Sequence, residues 1–437
     1  MILRLAICML VMIGPAAVGS LCAGTSAAQQ WMDPFPPPSG AEAVSTDSIT
    51  LHDALQKVAH SNPSRQAFRH RLEAVISRIE QAGLRPNPEI EFQAEDFGGD
   101  LPGSSQAEFT AGLSQEIELW GKRTKRRRAA KSETDAARLD LSFADYDLYG
   151  ETCRRYYLLV HAQNNLALAE DATKLAETMT ASVQARLEHG AAMISELLLS
   201  ELELQRARLE QARREYERAS AQDDLAALWD GKEVDLVAVE TGLEPGLLKR
   251  VDSLIPDFSN SKEVLLATTQ ESLLRAQLNL QLAENKPNLT VAGGFKRAQA
   301  DGTNSFVFGL AMPLPFFDRG QGSTKALRSE GVAAGWARQQ AQVSTRVEYR
   351  RLTRNLKQFS ARRKMFNDII LPQAQETYRS LRQAFEKGKV IYSVLLQGEQ
   401  TLIELRAELN DLDLALVEQV IALEQLLGVH LLMTQSK

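Results

Sequence analysis

Cysteine is almost missing from this chain of 437 residues, which has three: Cys8, Cys22 and Cys153. The first two fall in a stretch that reads as a removable leader, so Cys153 is left alone and an intrachain disulfide framework is excluded. Its place on an apolar helical stripe points to packing rather than to a reactive thiol. Aromatics are only 6% of the residues and the net charge is -6. With abundant Ala, Leu, Gln, Arg and Glu, that balance describes long amphipathic helices and not a nucleic-acid binder. Beyond the start of the chain no eighteen consecutive residues are apolar, so any passage through lipid has to be made by strands. A Gly-rich phosphate loop, a nucleophile elbow and a paired metal-ligand motif are all missing, which argues against an enzyme and leaves no cofactor to place. The histidines (His52, His60, His70, His161, His189, His430) are scattered, with no pair at the four-residue helical spacing that holds zinc.

What is present is organised around the run from Gly121 to Gly190, which contains no proline and has Gly150 as its one interior glycine. At 1.5 Å per residue it reaches roughly 100 Å as a single helix, longer than any compact domain. Tyr149, Cys153, Tyr156, Val160, Leu168, Ala172, Leu175, Met179, Val183 and Leu187 paint a stripe along it, so the rod must lie beside other rods. The run has an echo. Leu187-Glu188-His189-Gly190 precedes Ser195 and Glu201, as Phe385-Glu386-Lys387-Gly388 precedes Ser393 and Glu399. The chain therefore reads as two like halves. A second helical run, 319–388, carries Phe366, Ile370, Ala374, Tyr378, Leu381 and Phe385 in its stripe and is interrupted by Pro372, which kinks or ends it locally.

From the start, residues 1–28 read as a secretory signal, with Arg4, an apolar Leu5 to Val18, and Ser26-Ala27-Ala28 as cleavage site. Cys22 raises the alternative of a lipid anchor, against which stands the bulky Leu21 before it. Residues 29–47 form an extended leader containing Pro34, Pro36, Pro37 and Pro38. The first half occupies 48–230, a linker 231–257, the second half 258–428 and a tail 429–437. Thr50 with Asp53 predicts a capped helix to about Ala82, broken or kinked at Ser61-Asn62-Pro63.

After Pro86-Asn87-Pro88 the period changes to two. Ile90, Phe92 and Ala94 alternate with Glu91, Gln93 and Glu95, and Phe109, Ala111, Leu113, Ile117 and Leu119 alternate with Glu108, Thr110, Ser114, Glu116 and Glu118. Less purely, Leu289, Val291 and Phe295, then Phe306, Phe308, Leu310, Met312 and Leu314, line one face of two more strands, so that strands are expected at about 89–119 and 288–315. Such lengths and alternation suit transmembrane β-barrel strands. The competing reading is two half-buried hairpins of a soluble protein. Four strands cannot close a barrel, so the membrane reading requires several copies, most economically three sharing about twelve strands. After each marker glycine a further helix follows: one with Leu198, Leu202, Leu209 and Tyr216, the other with a near-heptad series from Leu395 to Leu427.

These residues carry a resemblance. Asn87-Pro88-Glu89-Ile90, Glu95-Asp96-Phe97-Gly98-Gly99, Ala107-Glu108-Phe109-Thr110, the stretch Leu113 to Arg123, Leu371-Pro372-Gln373-Ala374 and both glycine turns resemble the TolC-like outer-membrane efflux proteins. Within that family the closer likeness is to the branch serving heavy-metal export of the cobalt, zinc and cadmium type. Trp120 stands where that branch commonly has glycine. The resemblance implies a mixed α and β membrane protein: a homotrimer with a twelve-stranded barrel in outer-membrane lipid and long antiparallel helices forming a periplasmic tunnel. It further implies a periplasmic adaptor and an inner-membrane pump of the RND type as partners. The tunnel tip falls at Arg186 to Glu196 and Glu386 to Gln397, which makes Arg186, Leu187, Gly190, Ser195, Glu196, Phe385, Gly388, Lys389, Ser393 and Gln397 the residues for tip packing or adaptor contact. Where some relatives line the tip with aspartates this chain has Val394 and Gln397, with Glu196 in the first half, so a strongly acidic selectivity ring is not expected. His189 lies at the tip but reads as a surface histidine. The cluster Lys122, Arg123, Lys125, Arg126, Arg127 and Arg128 looks like a nucleic-acid patch, a partner an exported chain does not meet, and reads instead as facing anionic headgroups or water. The function expected is an exit duct for metal efflux. The alternatives are a duct for a drug pump or a protein-secretion system, and, more distantly, a soluble periplasmic coiled-coil scaffold.

Overall fold

The computed structural model of the chain describes residues 34–35, 48–96, 103–229, 231, 236–239, 250–251 and 256–432. The expected signal with Cys22, most of the proline-rich leader, Phe97-Gly98-Gly99, most of the linker and the end of the tail lie outside the described residues. The elements run β1 (Ser48–Ile49), α1 (Leu51–Ser61), α2 (Pro63–Ala82), β2 (Glu89–Glu95), β3 (Glu108–Ile117), α3 (Lys122–Glu188), α4 (Ile194–Ala226) and β4 (Val237–Ala238). They continue with α5 (Lys262–Glu284), β5 (Leu289–Ala298), β6 (Thr303–Ala311), α6 (Gln321–Met365), α7 (Leu371–Glu386) and α8 (Tyr392–Leu427).

The local signals act where the sequence puts them. Thr50 and Asp53 close a capping box, with the Asp53 amide donating to Thr50 Oγ1 at 3.2 Å and the Thr50 amide to Asp53 Oδ2 at 3.1 Å. Asn62 ends α1 and caps α2, accepting from the Arg65 amide at 3.1 Å, because Pro63 has no N–H to continue the first helix. Pro372 does not end its run. A π turn at Phe366–Ile370 widens the helix just before it, which absorbs the missing donor and carries the rod on as α7.

The four long strands form one antiparallel sheet in the order β2-β3-β5-β6. Register places Phe92 opposite Ala111, Ala111 opposite Phe295 and Phe295 opposite Phe306, while on the other face Glu91, Gly112, Gly294 and Val307 line up. The apolar residues of the two hairpins thus share a face and do not pack against one another. Among the described residues nothing covers either face: no residue of these strands is buried, and Phe306 is 91% and Phe92 80% exposed. The strands end at Ile117 and Ala311, two to four residues short of the alternation in the sequence, because the chain then turns into its helices.

Those helices form the columns. α3 is a single rod of 67 residues, roughly 100 Å long. α2 and α4 follow each other along one flank of it, meeting where Asn62 Nδ2 donates to the Leu228 carbonyl at 2.8 Å. α5 and α8 lie on the other flank, and α6 and α7 pack outside them. The main core sits at mid-height, where Tyr149, Cys153, Tyr156 and Leu159 of α3 meet Ile49, Leu55, Trp229, Leu236 and Ile421. Cys153 is fully buried there, and burial raises its thiol well above the usual range, so it packs and does not react. Part of the apolar sequence is not in any core: Leu198, Leu202, Leu209 and Tyr216 of α4 are all exposed, since α4 buries Leu197, Ser200 and Leu225 instead.

The mid-level also holds a buried ion pair. Arg65 Nε donates to Asp145 Oδ1 at 2.8 Å, and Arg65 also caps the Ala59 carbonyl at 2.8 Å and lies over the Phe35 ring. Removing one partner leaves the other charge without compensation. Arg65→Met is expected to lower stability by about 3–5 kcal/mol, read as a fall in thermal unfolding midpoint. A change no larger than that of breaking the exposed pair Arg138 and Asp135 would overturn the assignment.

Candidate functional site

At the end of α3 farthest from the sheet, two helix reversals lie side by side. In the first, Gly190 adopts a left-handed φ of 69° and the Ala191 amide donates back to the Arg186 carbonyl at 2.7 Å. In the second, Gly388 has φ 66° and the Lys389 amide reaches the Ala384 carbonyl at 2.8 Å. Both are helix-ending motifs that need a residue free of Cβ at the left-handed position.

Arg186 ties the two reversals together. Its guanidinium donates to the Phe385 carbonyl at 3.1 Å and the Ala191 carbonyl at 3.3 Å, and lies 4.4 Å over the Phe385 ring. Phe385, Tyr392, Leu395, Met179, Val183 and Leu197 make a small core beneath it, with Leu187 half-buried at its margin. Gly190, Ser195, Gly388, Lys389, Ser393 and Gln397 are exposed around this core, and Glu196 is half-exposed in the first turn of α4, where the helix dipole favours a carboxylate. His189 is exposed, its Nδ1 2.7 Å from the Ala185 carbonyl.

Two or three helical turns from the reversals, a cavity of about 230 Å³ lies between α3, α4 and α8, walled by Ala172, Ala176, Leu396 and Ile403 and carrying Glu203 and Glu399. Glu203 accepts from Arg206 at 2.7 Å and from Gln400 at 3.3 Å. Glu399 is buried between Glu203 and the rings of Tyr378 and Tyr392; burial, and then the Glu203 charge, push its carboxyl up to about 7. In the sequence Glu399 stands only as a marker of the internal repeat, not as a site residue. Its signal was there, because Glu399 occupies a seam position between Leu395 and Leu402, where an ionisable residue is out of place.

The sequence profile of the outer membrane efflux protein family matches residues 54–231 and 258–429. The chain belongs to that family. It is 27% identical over 367 residues to CzcC, the cobalt-zinc-cadmium resistance protein of Cupriavidus metallidurans, covering 82% of this chain and 85% of the relative. It is 22% identical over 408 residues to OpmQ, the pyoverdine export outer membrane protein of Pseudomonas putida, covering 86% and 85%. Among solved structures, the outer membrane protein VceC of Vibrio cholerae superposes with a TM-score of 0.71 at 17% identity, over 86% of this chain and 96% of that one, a likeness of fold. Membership sets the chain among outer-membrane efflux proteins, which are transport proteins.

The raised Glu399 carboxyl has a consequence for pH. The folded chain binds its proton up to about pH 7, whereas an exposed glutamate loses it near 4.5. The stabilisation is therefore fully present below that lower value and is lost as pH rises through the window to about 7. Glu399→Gln, which mimics the protonated form, is expected to raise the unfolding midpoint at pH 8 by the equivalent of about 1–3 kcal/mol and to change it little at pH 5. An equal effect at both values would show that the carboxyl does not titrate in this window.

Proposed function

We propose that the chain is the outer-membrane exit duct of a tripartite efflux assembly, working as a homotrimer in which three four-stranded sheets close one twelve-stranded barrel. The observation that carries this reading is the sheet itself: among the described residues it has an uncovered apolar face and two unpaired edges, β2 and β6, at the head of helical columns about 100 Å tall. Strands alternate in direction across β2-β3-β5-β6, so β6 of one copy is antiparallel to β2 of the next, and a closed ring of even strand number keeps every neighbouring pair antiparallel. Leu198, Leu202, Leu209 and Tyr216 on α4, and Val332, Trp336, Val343 and Val347 on α6, are exposed apolar residues on helices at the two lateral margins of the protomer. In a ring each stripe faces a neighbouring copy, that of α6 in the upper half of the column and that of α4 in the lower.

The helical portion then stands in the periplasm with the paired reversals as its lower tip. Ser195, Lys389, Ser393 and Gln397, on the exposed side of the reversals, are the positions for contact with a periplasmic adaptor bound to an inner-membrane RND pump. Arg186, Leu187 and Phe385 set the packing of the tip, and Glu196 repeats three times around its axis. The cargo we infer is heavy-metal cations, supported by the likeness to CzcC. The likeness to OpmQ, at lower identity, favours a second reading in which the cargo is a larger organic molecule.

Reconstituted in lipid, the protein is expected to run as a trimer and to conduct ions. Monomers without conductance would sink the duct reading. Phe308→Arg sets a charge in the apolar band at a penalty of about 2–4 kcal/mol and should sharply reduce trimer recovered from membranes, with Ser305→Arg on the opposite face as the tolerated control. A deletion strain is expected to become sensitive to cobalt, zinc or cadmium salts. If it stays resistant to all three and loses secretion of an organic compound, the second reading replaces the first.

A further inference from the structure

Both places where a strand passes into a long helix carry aromatic and basic side chains together. After β3 come Trp120 and the run Lys122 to Arg128, and after β6 come Phe316, Phe317, Arg319, Lys325 and Arg328. Part of the first cluster is used internally. Arg126 is held by the Glu118 carboxylate and by the carbonyls of Ala82 and Leu84, Arg123 donates to the Gly83 carbonyl, and Lys122 is buried beside the Glu284 carbonyl. The remainder is not: Arg127, Arg128 and Lys131 on α3, with Lys325 and Arg328 on α6, are exposed, and among the described residues no carboxylate pairs with them. A chain of net charge -6 has thus gathered unpaired cations at one height.

Their direction matters as much as their number. Glu118 continues the alternation of Glu108 and Glu116 on the polar face of β3, and Arg126 turns toward it. At 100° per residue, Arg128 and Lys131 point roughly 140–200° away from Arg126, on the side of α3 opposite the one turned to Glu118, while Arg127 lies between, its stem against Gly83 at the end of α2 and its side chain exposed. In depth they lie roughly 8–14 Å below the start of α3, within reach of long side chains that extend up into a headgroup layer. Trp120 sits at the boundary, half-exposed, its indole donating to the Pro287 carbonyl at 3.0 Å with Lys286 Nζ 4.6 Å over the ring. An amphipathic ring above a row of cations is the arrangement that suits the glycerol and phosphate levels of a bilayer.

We propose that this belt is a binding site for anionic phospholipid headgroups in the leaflet next to the helical portion, with Arg127, Arg128 and Lys131 holding phosphate. The inference rests on the barrel reading. The test uses the full chain in nanodiscs of phosphatidylethanolamine with and without phosphatidylglycerol, and native mass spectrometry to count retained lipid. Wild type is expected to keep phosphatidylglycerol in preference. The triple variant Arg127→Gln, Arg128→Gln, Lys131→Gln should lose about half or more of it. Arg127→Lys with Arg128→Lys should keep it, and so should Arg208→Gln with Arg213→Gln, exposed cations on α4 far from the belt. Equal retention by the triple variant, no preference in wild type, or adducts only of phosphate mass after incubation with inorganic phosphate would each overturn the site. Wild type found outside the nanodiscs would sink the barrel reading itself, a result visible before any lipid is counted.

Discussion

The unpaired edges of one four-stranded sheet constrain everything else in this chain. In water, the free N–H and C=O groups of β2 and β6 are satisfied by solvent; in hydrocarbon they have no partner, and each costs several kcal/mol. A chain that sends only four strands into lipid is therefore incomplete alone. The helices inherit this arrangement. α2 leads into β2, β3 into α3, α5 into β5 and β6 into α6, so the order of strands across the sheet is also the order of the upper helices around the column. In the ring proposed above, neighbouring copies would meet along their lateral margins, α6 in the upper half of the column and α4 in the lower, where each keeps apolar residues that no described residue covers.

Rigidity is unequally distributed along the column. At mid-height the short β1 and β4 pair, the ring of Tyr156 is wedged between elements distant in sequence with its hydroxyl donating to the Val239 carbonyl at 2.6 Å, and Arg65 is sealed against Asp145. At the reversals the core is smaller and its polar contacts are few, chiefly those of Arg186 across to Phe385. A region with few buried contacts is the one that opens at least free energy. Glu399 sharpens the contrast, since a carboxyl buried beside Glu203 is comfortable when neutral and strained when charged.

Much of this was legible in the sequence because it depends on local rules. The period of two from Ile90 to Leu119, the cap at Thr50, the break at Asn62 and the glycines at 190 and 388 each express a constraint on a few adjacent residues. What escaped depends on partners. A helical stripe such as Leu198, Leu202, Leu209 and Tyr216 says that a face is apolar and not whether its own chain will cover it. Likewise a seam from Leu395 to Leu427 hides Glu399, whose burial follows from Tyr378 and Glu203 on other helices. The π turn before Pro372 escaped for another reason: a proline in a helix has several remedies, and packing along the rod selects among them.

Trp120 shows how such constraints are settled against one another. It adopts a left-handed φ of 63°, beside Gly121 at 69°, a conformation that disfavours a bulky side chain by about 1–2 kcal/mol. Gly320, with φ 63°, caps α6 as Gly121 caps α3, and a Cβ there would fall within 1.9 Å of Asn285 Oδ1; the residue before it, Arg319, stands where Trp120 does and carries no such strain. Trp120 is half-exposed, and its indole gains a hydrogen bond to Pro287 and a cation over its face, contributions of a size comparable to the strain. A glycine would make the turn more easily and anchor nothing. The chain tolerates strain at the exit where a large amphipathic ring has both a place to sit and partners to hold it.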